Sequence, residues 1–382
     1  MSPLPSTTTV DLTRATPPFT DALGQGFRSA LAALSEHPEI DHLFRSNRIG
    51  GNDRDRDTAA PWLAGRLGYA PDSSRIIVGN GTQNLLSLVL RRVVGRGATI
   101  VAEALTHPLV PPIADELDIN IVPVAIDDDG LMPDALESAC AAYQPKLIYC
   151  NPTGHNPTAS VMSDERRRTI AGIARKYRVA ILEDDVLGSL RIGGPKPIAS
   201  HAPDVTWYIQ SLSKCLALGF RVAYLVVPET FDRDFLVRPM GMRSSWFASA
   251  IAIEVANTLF HSGLMSEVTR SMSAEASLRR QAAEDILAGY DVSAAQGALH
   301  VWLRLPAPWR AQTFAKACAD AGVLVRPSEM FLASPKFWPP ERCPEAIRIA
   351  ITAPPTVALL RTGLNRIRSV LQSADVAMEG AT

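Results

Sequence analysis

The sequence predicts an α/β architecture, a mostly parallel seven-stranded sheet covered by helices and followed by a smaller α+β C-terminal domain. Three observations predict it. From Arg75 onward short apolar runs alternate with amphipathic stretches, the pattern of strands joined by crossover helices. Residues 245–289 then form a long helical stretch that ends the alternation. Finally, 382 residues, 47% apolar and 20% charged, exceed one ordinary domain and can fill two cores.

In chain order, residues 1–20 are rich in Thr and Pro and read as an irregular arm. Residues 21–36 read as a helix and Asn52–Asp57 as a charged loop. Strands are expected at Arg75–Val78, Ala98–Ala102, Ile121–Pro123, Leu147–Cys150, Ala180–Glu183, Thr206–Ile209 and Arg221–Val227. Between them fall helices at Thr82–Val94, Pro111–Leu117 and Asp164–Lys176, the last with Ser163 as N-cap. The 245–289 stretch breaks near His261-Ser262-Gly263. Beyond it come strands at Ala298–Leu303 and Ala346–Ile351 and helices at Thr313–Ala321 and Pro355–Gln372. The expected division is an arm and helix packing on the small domain (1–45), a large domain (46–265), and a connector helix with the small domain (266–382).

A formal net charge of −1 gives no electrostatic footprint for nucleic acid or anionic membrane. No apolar run is long enough to span a bilayer, and the first thirteen residues lack the charges and apolar core of a secretory signal. Five cysteines, an odd number without a CxxC pair, point to a reducing cytoplasm.

Polar residues gather where these elements end. Gly81-Thr82-Gln83 opens a helix, where free N–H groups, a hydroxyl and an amide suit a phosphate dianion. Taken alone, Thr82 would be an ordinary N-cap. Ser211, Ser213 and Arg221 supply further hydroxyls and a guanidinium able to grip phosphate through a fork. Lys214 precedes Arg221 by seven positions. A nearby cation and partial burial would lower its pKa, so that its amine can form a Schiff base and later move a proton at a substrate α-carbon.

The strand Ala180–Glu183 runs into Asp184 and Asp185, at the strand end where ligands sit in open α/β sheets. On chemistry alone, either aspartate can keep a pyridine nitrogen protonated. Asn151 and Asn156 both begin Asn-Pro-Thr; Asn156 falls on the loop before helix Asp164–Lys176, with reach toward a phenolate, whereas Asn151 sits hard against the strand. Arg348 lies in an apolar strand, where an unpaired guanidinium would be costly, and reads as the partner of an incoming carboxylate. An amine for an aldehyde, an acid for a ring nitrogen and donors for phosphate and phenolate are the parts that hold pyridoxal 5'-phosphate.

With these residues in this order, the chain resembles the fold-type-I pyridoxal-phosphate-dependent transferases. Its likeness is to the aminotransferase-like domain of MocR/GntR regulators and to stand-alone 2-aminoadipate and kynurenine aminotransferases. The resemblance runs from about Val10 to the last helix. It is strongest in Asn156-Pro157-Thr158 with Met162-Ser163, in Arg166–Ile173, in Glu183-Asp184-Asp185 and in Ser211–Arg221. It implies a homodimeric aminotransferase that moves the amino group of an L-amino acid to a 2-oxo acid. It further implies that Lys214 bonds the cofactor, Asp184 pairs with its ring nitrogen, and Asn156 donates to its phenolate oxygen. Thr82, Gln83, Ser211 and Arg221 would hold phosphate, and Arg348 the substrate α-carboxylate.

Three positions depart from the family pattern. His107, in Leu105-Thr106-His107-Pro108, stands where an aromatic ring usually covers the cofactor, and a passive stacking role is expected of it. Leu187 stands where a tyrosine often donates to the phenolate, and no tyrosine precedes Tyr69. These departures motivate an alternative: elimination, replacement, decarboxylation, racemisation or oxidation with the same cofactor. A non-catalytic sensor of the cofactor or of an amino acid is a third reading. The related regulators carry an N-terminal winged helix, for which the short arm leaves no room, so a regulator is not expected. Side-chain specificity is expected to come from the arm, the loop near Ser328–Phe331 and a partner subunit.

Overall fold

The computed structural model describes residues 9–379, with side chains described through residue 373, so the first eight residues of the arm lie outside it. Seven strands form the large sheet: β1 (Ile76–Gly79), β2 (Thr99–Glu103), β3 (Asn120–Val124), β4 (Leu147–Cys150), β5 (Ala180–Asp184), β6 (Thr206–Ser211) and β7 (Ala223–Val226). Their spatial order is β1-β7-β6-β5-β4-β2-β3, and only β7 runs against the others. Helices cover both faces, which is why the strands are nearly continuous apolar runs. Neighbouring residues still divide between the faces: Leu147 and Tyr149 enter one core, Ile148 and Cys150 another.

Two expectations about this domain are corrected. Arg221 does not begin β7; it follows the turn Leu218–Phe220 with φ 55°, a left-handed conformation that ends the turn and aims its side chain at the sheet edge. Asn52–Asp57 is not a loop but the start of helix Asp53–Leu67. The Asn52 side chain accepts from the Asp55 N–H at 2.9 Å, and Asp55 accepts from the Asn52 N–H at 2.9 Å, a reciprocal capping box. The helix escapes detection because Asp55, Arg56 and Arg66 share its buried face with Ala59, Leu63 and Leu67, so its apolar period is broken.

Two helices, Ala250–His261 and Leu264–Ile286, lead out of the large domain, separated by Gly263 at φ 74°. The second sheet is antiparallel, in the order Asp291–Ser293, His300–Arg304, Ala346–Ala350, Arg326–Pro327. Its core contains Leu303, Phe314, Ile347, Ile349 and Leu364. The arm divides between the two bodies. Val10–Asp11 pairs in parallel with Val323–Leu324, and Val10 and Leu12 join the smaller core. Helix Asp21–Ser35 packs on the two connecting helices, with Leu23 and Ala30 in the core beneath the large sheet. Gly26 makes that approach possible, since a Cβ there would stand 3.3 Å from Val268 and 3.4 Å from Leu259. Among the described residues no helix is long and apolar enough to cross a membrane.

Candidate active site

The carboxyl ends of β1, β2, β4, β5 and β6 point to one edge of the sheet, and the amino end of antiparallel β7 joins them there. A cavity of about 370 Å³ opens at this edge, between the large sheet, the arm and the smaller sheet. Gly81, Thr82, Gln83, His107, Asn156, Asp184, Ser213, Lys214, Arg221 and Arg348 all line it. Ser211 does not; it is buried behind Ser213, their Oγ atoms 2.8 Å apart, and its Oγ accepts from the Ser213 N–H at 3.1 Å. Its place is under the turn that carries Ser213 and Lys214.

The three consecutive acids at the end of β5 have different fates. Glu183 accepts from the Ile198 and Ala199 N–H groups, each at 2.9 Å, and is structural. Asp185 is fully buried against Arg66, at 2.9 Å, and accepts from the Tyr208 hydroxyl at 2.8 Å. Only Asp184 lines the cavity, which separates the two aspartates that chemistry alone left open. Its Oδ2 accepts from Tyr149 at 2.9 Å, while its Oδ1 is buried without a partner among the described residues. Burial raises its pKa to about 6, against the Tyr149 hydrogen bond that lowers it. A buried carboxylate oxygen left bare in this way suits a cationic N–H donor.

The Arg66–Asp185 pair makes a prediction of its own. Arg66→Met strands a buried carboxylate and should destabilise the fold by about 3–5 kcal/mol. Chemical denaturation measures it; a loss under about 1 kcal/mol would show that Tyr208 suffices to hold Asp185.

At the β1 corner, helix Gly81–Val89 starts without a side-chain cap, leaving its first N–H groups unsatisfied by Asn80. Thr82 Oγ1 is buried there without a partner. Gly81, at φ 78°, keeps the corner open, because a Cβ would sit 3.3 Å from the Arg221 guanidinium carbon. Donors, a cation and room are thus gathered for one anion.

Lys214 is half-buried, and its Nζ donates to the Ala15 carbonyl at 2.6 Å. Burial first, then the Arg348 charge, lowers its pKa to about 8. Arg348 donates through Nη1 to Asn156 Oδ1 at 2.7 Å and through Nη2 to the Thr13 carbonyl at 2.5 Å, while its Nε is buried without a partner. Its guanidinium carbon also lies 4.9 Å from the Phe331 ring centre. The rival asparagine, Asn151, is consumed by structure: its Oδ1 accepts from the Asn156 N–H at 2.9 Å and its amide donates to the Asp184 carbonyl. Asn156 keeps its side-chain N–H donors free among the described residues.

The pattern of the family described as aminotransferase class I and II matches residues 10–367. The chain belongs to that family. Among curated aminotransferases, the aromatic-amino-acid aminotransferase 1 of Thermococcus litoralis is 25% identical over 285 residues, covering 72% of this chain and 68% of that protein. The uncharacterized HTH-type transcriptional regulator YdeF of Bacillus subtilis is 30% identical over 342 residues, covering 89% of this chain and 72% of that one. The chain spans between 51% and 72% of the length of four such curated relatives. A kynurenine aminotransferase from Pyrococcus horikoshii shares the fold, with a TM-score of 0.86 at 21% identity over 97% of this chain and 92% of that one.

Aminotransferases of this family use pyridoxal 5'-phosphate, and the orphaned polar atoms fit it. Asp184 Oδ1 suits the ring nitrogen, Thr82 Oγ1 and the open helix start suit phosphate, and the free Asn156 donors suit the phenolate. Leu187 lines the same cavity and brings no hydroxyl. His107 is half-buried, and its Nδ1 accepts from the Leu109 N–H at 3.2 Å, so the neutral ring carries its proton on Nε2. Burial, then Lys214 and Arg348, lowers its pKa to about 4, so it is neutral at physiological pH. Sequence reasoning missed Tyr149, His300 and Arg326, which also line the cavity. Each is hidden in a strand whose neighbours across the sheet decide its role.

Proposed function

We propose that this chain moves the amino group of an L-amino acid to a 2-oxo acid through Lys214, with Asp184 and Arg348 setting cofactor and substrate in place. When bound, pyridoxal 5'-phosphate supplies an aldehyde that captures amines and a ring that withdraws electrons from the substrate α-carbon. The protein's residues do the rest. Asp184 holds a proton at the ring nitrogen. Gly81, Thr82, Gln83, Ser213 and Arg221 fix the phosphate, with Ser211 supporting Ser213, and Asn156 donates to the phenolate. His107, neutral, covers the ring as a stacking surface. Arg348 takes the α-carboxylate in place of the Thr13 carbonyl and turns the α-C–H bond toward Lys214, a positioning effect. Neutral Lys214 would accept the α-proton and hold it for return, as the general base of the site.

The observation that carries this reading is one cavity joining a lysine of lowered pKa, a carboxylate with a bare buried oxygen and a buried arginine. Mixing the cofactor-loaded protein with L-amino acids, without any oxo acid, tests it. One equivalent of oxo acid released per site, with loss of the visible band, is expected. Lasting colour with a different product would instead favour elimination, decarboxylation or related chemistry, the reading that His107 and Leu187 motivate. Arg348→Ala should weaken amino-acid binding by roughly a hundredfold, the value of a forked charge-assisted contact, while the cofactor stays bound. Unchanged substrate affinity would remove Arg348 from this role. The free cysteines suit a reducing cytoplasm, and a homodimer is the assembly that the resemblance implies.

A further inference from the structure

Just past Asn156 and Pro157, residues 158–161 line a second cavity, of about 380 Å³, where the large-sheet body meets the edge of the smaller sheet. Arg191, Thr158 and Ser160 face it from one side, and Ser293 and Gln296 from the other. Ala159, Val161 and Ala295 pack together as its apolar floor. The segment after Ser293 reaches this seam through Gly297, at φ 76°, which lies directly on the Leu190 backbone; a Cβ there would stand 2.7 Å from the Leu190 carbonyl oxygen. Arg191 is half-buried. Among the described residues its side chain makes no hydrogen bond and no ion pair, and its Nε is buried without a partner. Gly194, at φ 92°, makes room for it, because a Cβ would collide with that Nε.

The charges that Arg191 feels are alike. Burial first, then Arg66 and Arg167, lower its pKa, and those two arginines already hold Asp185 and Glu183. The acids of the seam are taken as well: Asp128, which also lines the cavity, pairs with Arg304, and so does Asp291, at 3.2 Å. The remaining polar groups offer donors. Ser160 Oγ accepts from Thr158 Oγ1 at 3.1 Å and Ser293 Oγ accepts from Arg304 Nη1 at 3.2 Å, which leaves each hydroxyl proton uncommitted. Gln296 is exposed, and its amide N–H bonds are free among the described residues. A guanidinium without an acid, beside spare donors, is a receptor for an anion. Donors on both walls suit a tetrahedral oxyanion, whose oxygens point in several directions, better than a planar carboxylate. We propose that this seam binds a phosphate group, inorganic phosphate or a phosphate monoester, with Arg191 as its main ligand and Ser160, Ser293 and Gln296 as supporting donors. An occupant ties the edge of the smaller sheet to the loop that carries Asn156. The site stands whether or not Lys214 performs transamination.

Calorimetric titration of the cofactor-loaded protein with inorganic phosphate, glycerol phosphate and acetate tests the proposal. Arg191→Gln should weaken phosphate binding by about tenfold to a hundredfold, the usual worth of a charge-assisted contact, and Arg191→Lys should keep part of it. Arg348→Ala, in the other cavity, should leave this binding in place. Tighter binding of glycerol phosphate than of inorganic phosphate would identify the occupant as an organic phosphate, and the reverse order as the free ion. Arg191→Gln breaks no contact, so in phosphate-free buffer it should melt no lower than the unaltered protein. Added phosphate should raise the melting temperature of the unaltered protein more than that of the variant. An equal rise in the two, or phosphate affinity unchanged by Arg191→Gln, would overturn the proposal. So would the absence of binding at millimolar phosphate, its loss in Arg348→Ala, or acetate binding as tightly as phosphate.

Discussion

Replacing Lys214 with alanine should abolish covalent cofactor attachment and lower turnover by about ten-thousand-fold, because in the proposed mechanism one amine serves as both nucleophile and proton carrier. The turn after β6 that presents it is held by Ser211, whose Oγ accepts from the Ser213 N–H, and by Leu216 N–H bonding back to Leu212. The loss should therefore be chemical rather than structural, with melting temperature preserved. The same lysine predicts a pH dependence. Its pKa is lowered to about 8 by burial and then by Arg348, and only the neutral amine attacks an aldehyde. Capture of pyridoxal phosphate by cofactor-free protein should rise with pH up to about 8 and level off above it. Arg348→Gln removes a repulsion and should move the midpoint up; Asp184→Asn removes an attraction and should move it down. Rapid-mixing absorbance across pH reads all three, and a midpoint near 10 would mean that Lys214 is an ordinary solvated lysine.

Asp184→Asn should cost on the order of a thousandfold in turnover, since in the proposed mechanism the ring would lose the charge that keeps its nitrogen protonated. Cofactor affinity should fall by about tenfold to a hundredfold. The cofactor-free protein should respond in the opposite direction. Burial raises the Asp184 pKa from 3.8 to about 6, so its stabilising share is full below 3.8 and is lost as pH rises through 6. Asparagine suffers no such loss and can still accept from Tyr149. The variant without cofactor should therefore melt higher than the unaltered protein at pH 7.5 and not at pH 3.5. A lower melting temperature at pH 7.5 would show that Asp184 is structural, like Glu183.

The parts of this site that a linear reading could find are those whose context is local. Lys214 and Arg221 lie seven residues apart on the segment that joins β6 to β7, Asp184 ends one strand, and Gly81-Thr82-Gln83 opens one helix. Arg66 was unreadable because its helix buries charges where the period calls for apolar residues. Its pairing with Asp185 across 119 residues is what leaves Asp184 alone in the cavity. Tyr149 looked like one more strand residue until the β4–β5 register set its hydroxyl beside Asp184. The arm carbonyls of Thr13 and Ala15, which occupy Arg348 and Lys214, and the facing of Arg326 with Arg348 are likewise products of tertiary register. Local chemistry marks the residues proposed to hold the cofactor; long-range packing decides which of their neighbours remain free.

The most direct measurement is borohydride reduction of the protein loaded with pyridoxal phosphate, followed by peptide mass mapping. A single phosphopyridoxyl group on the peptide containing Lys214, absent from Lys214→Ala, is the predicted result. The group on another lysine such as Lys196, or no adduct at all, would contradict the assignment on which the site is built.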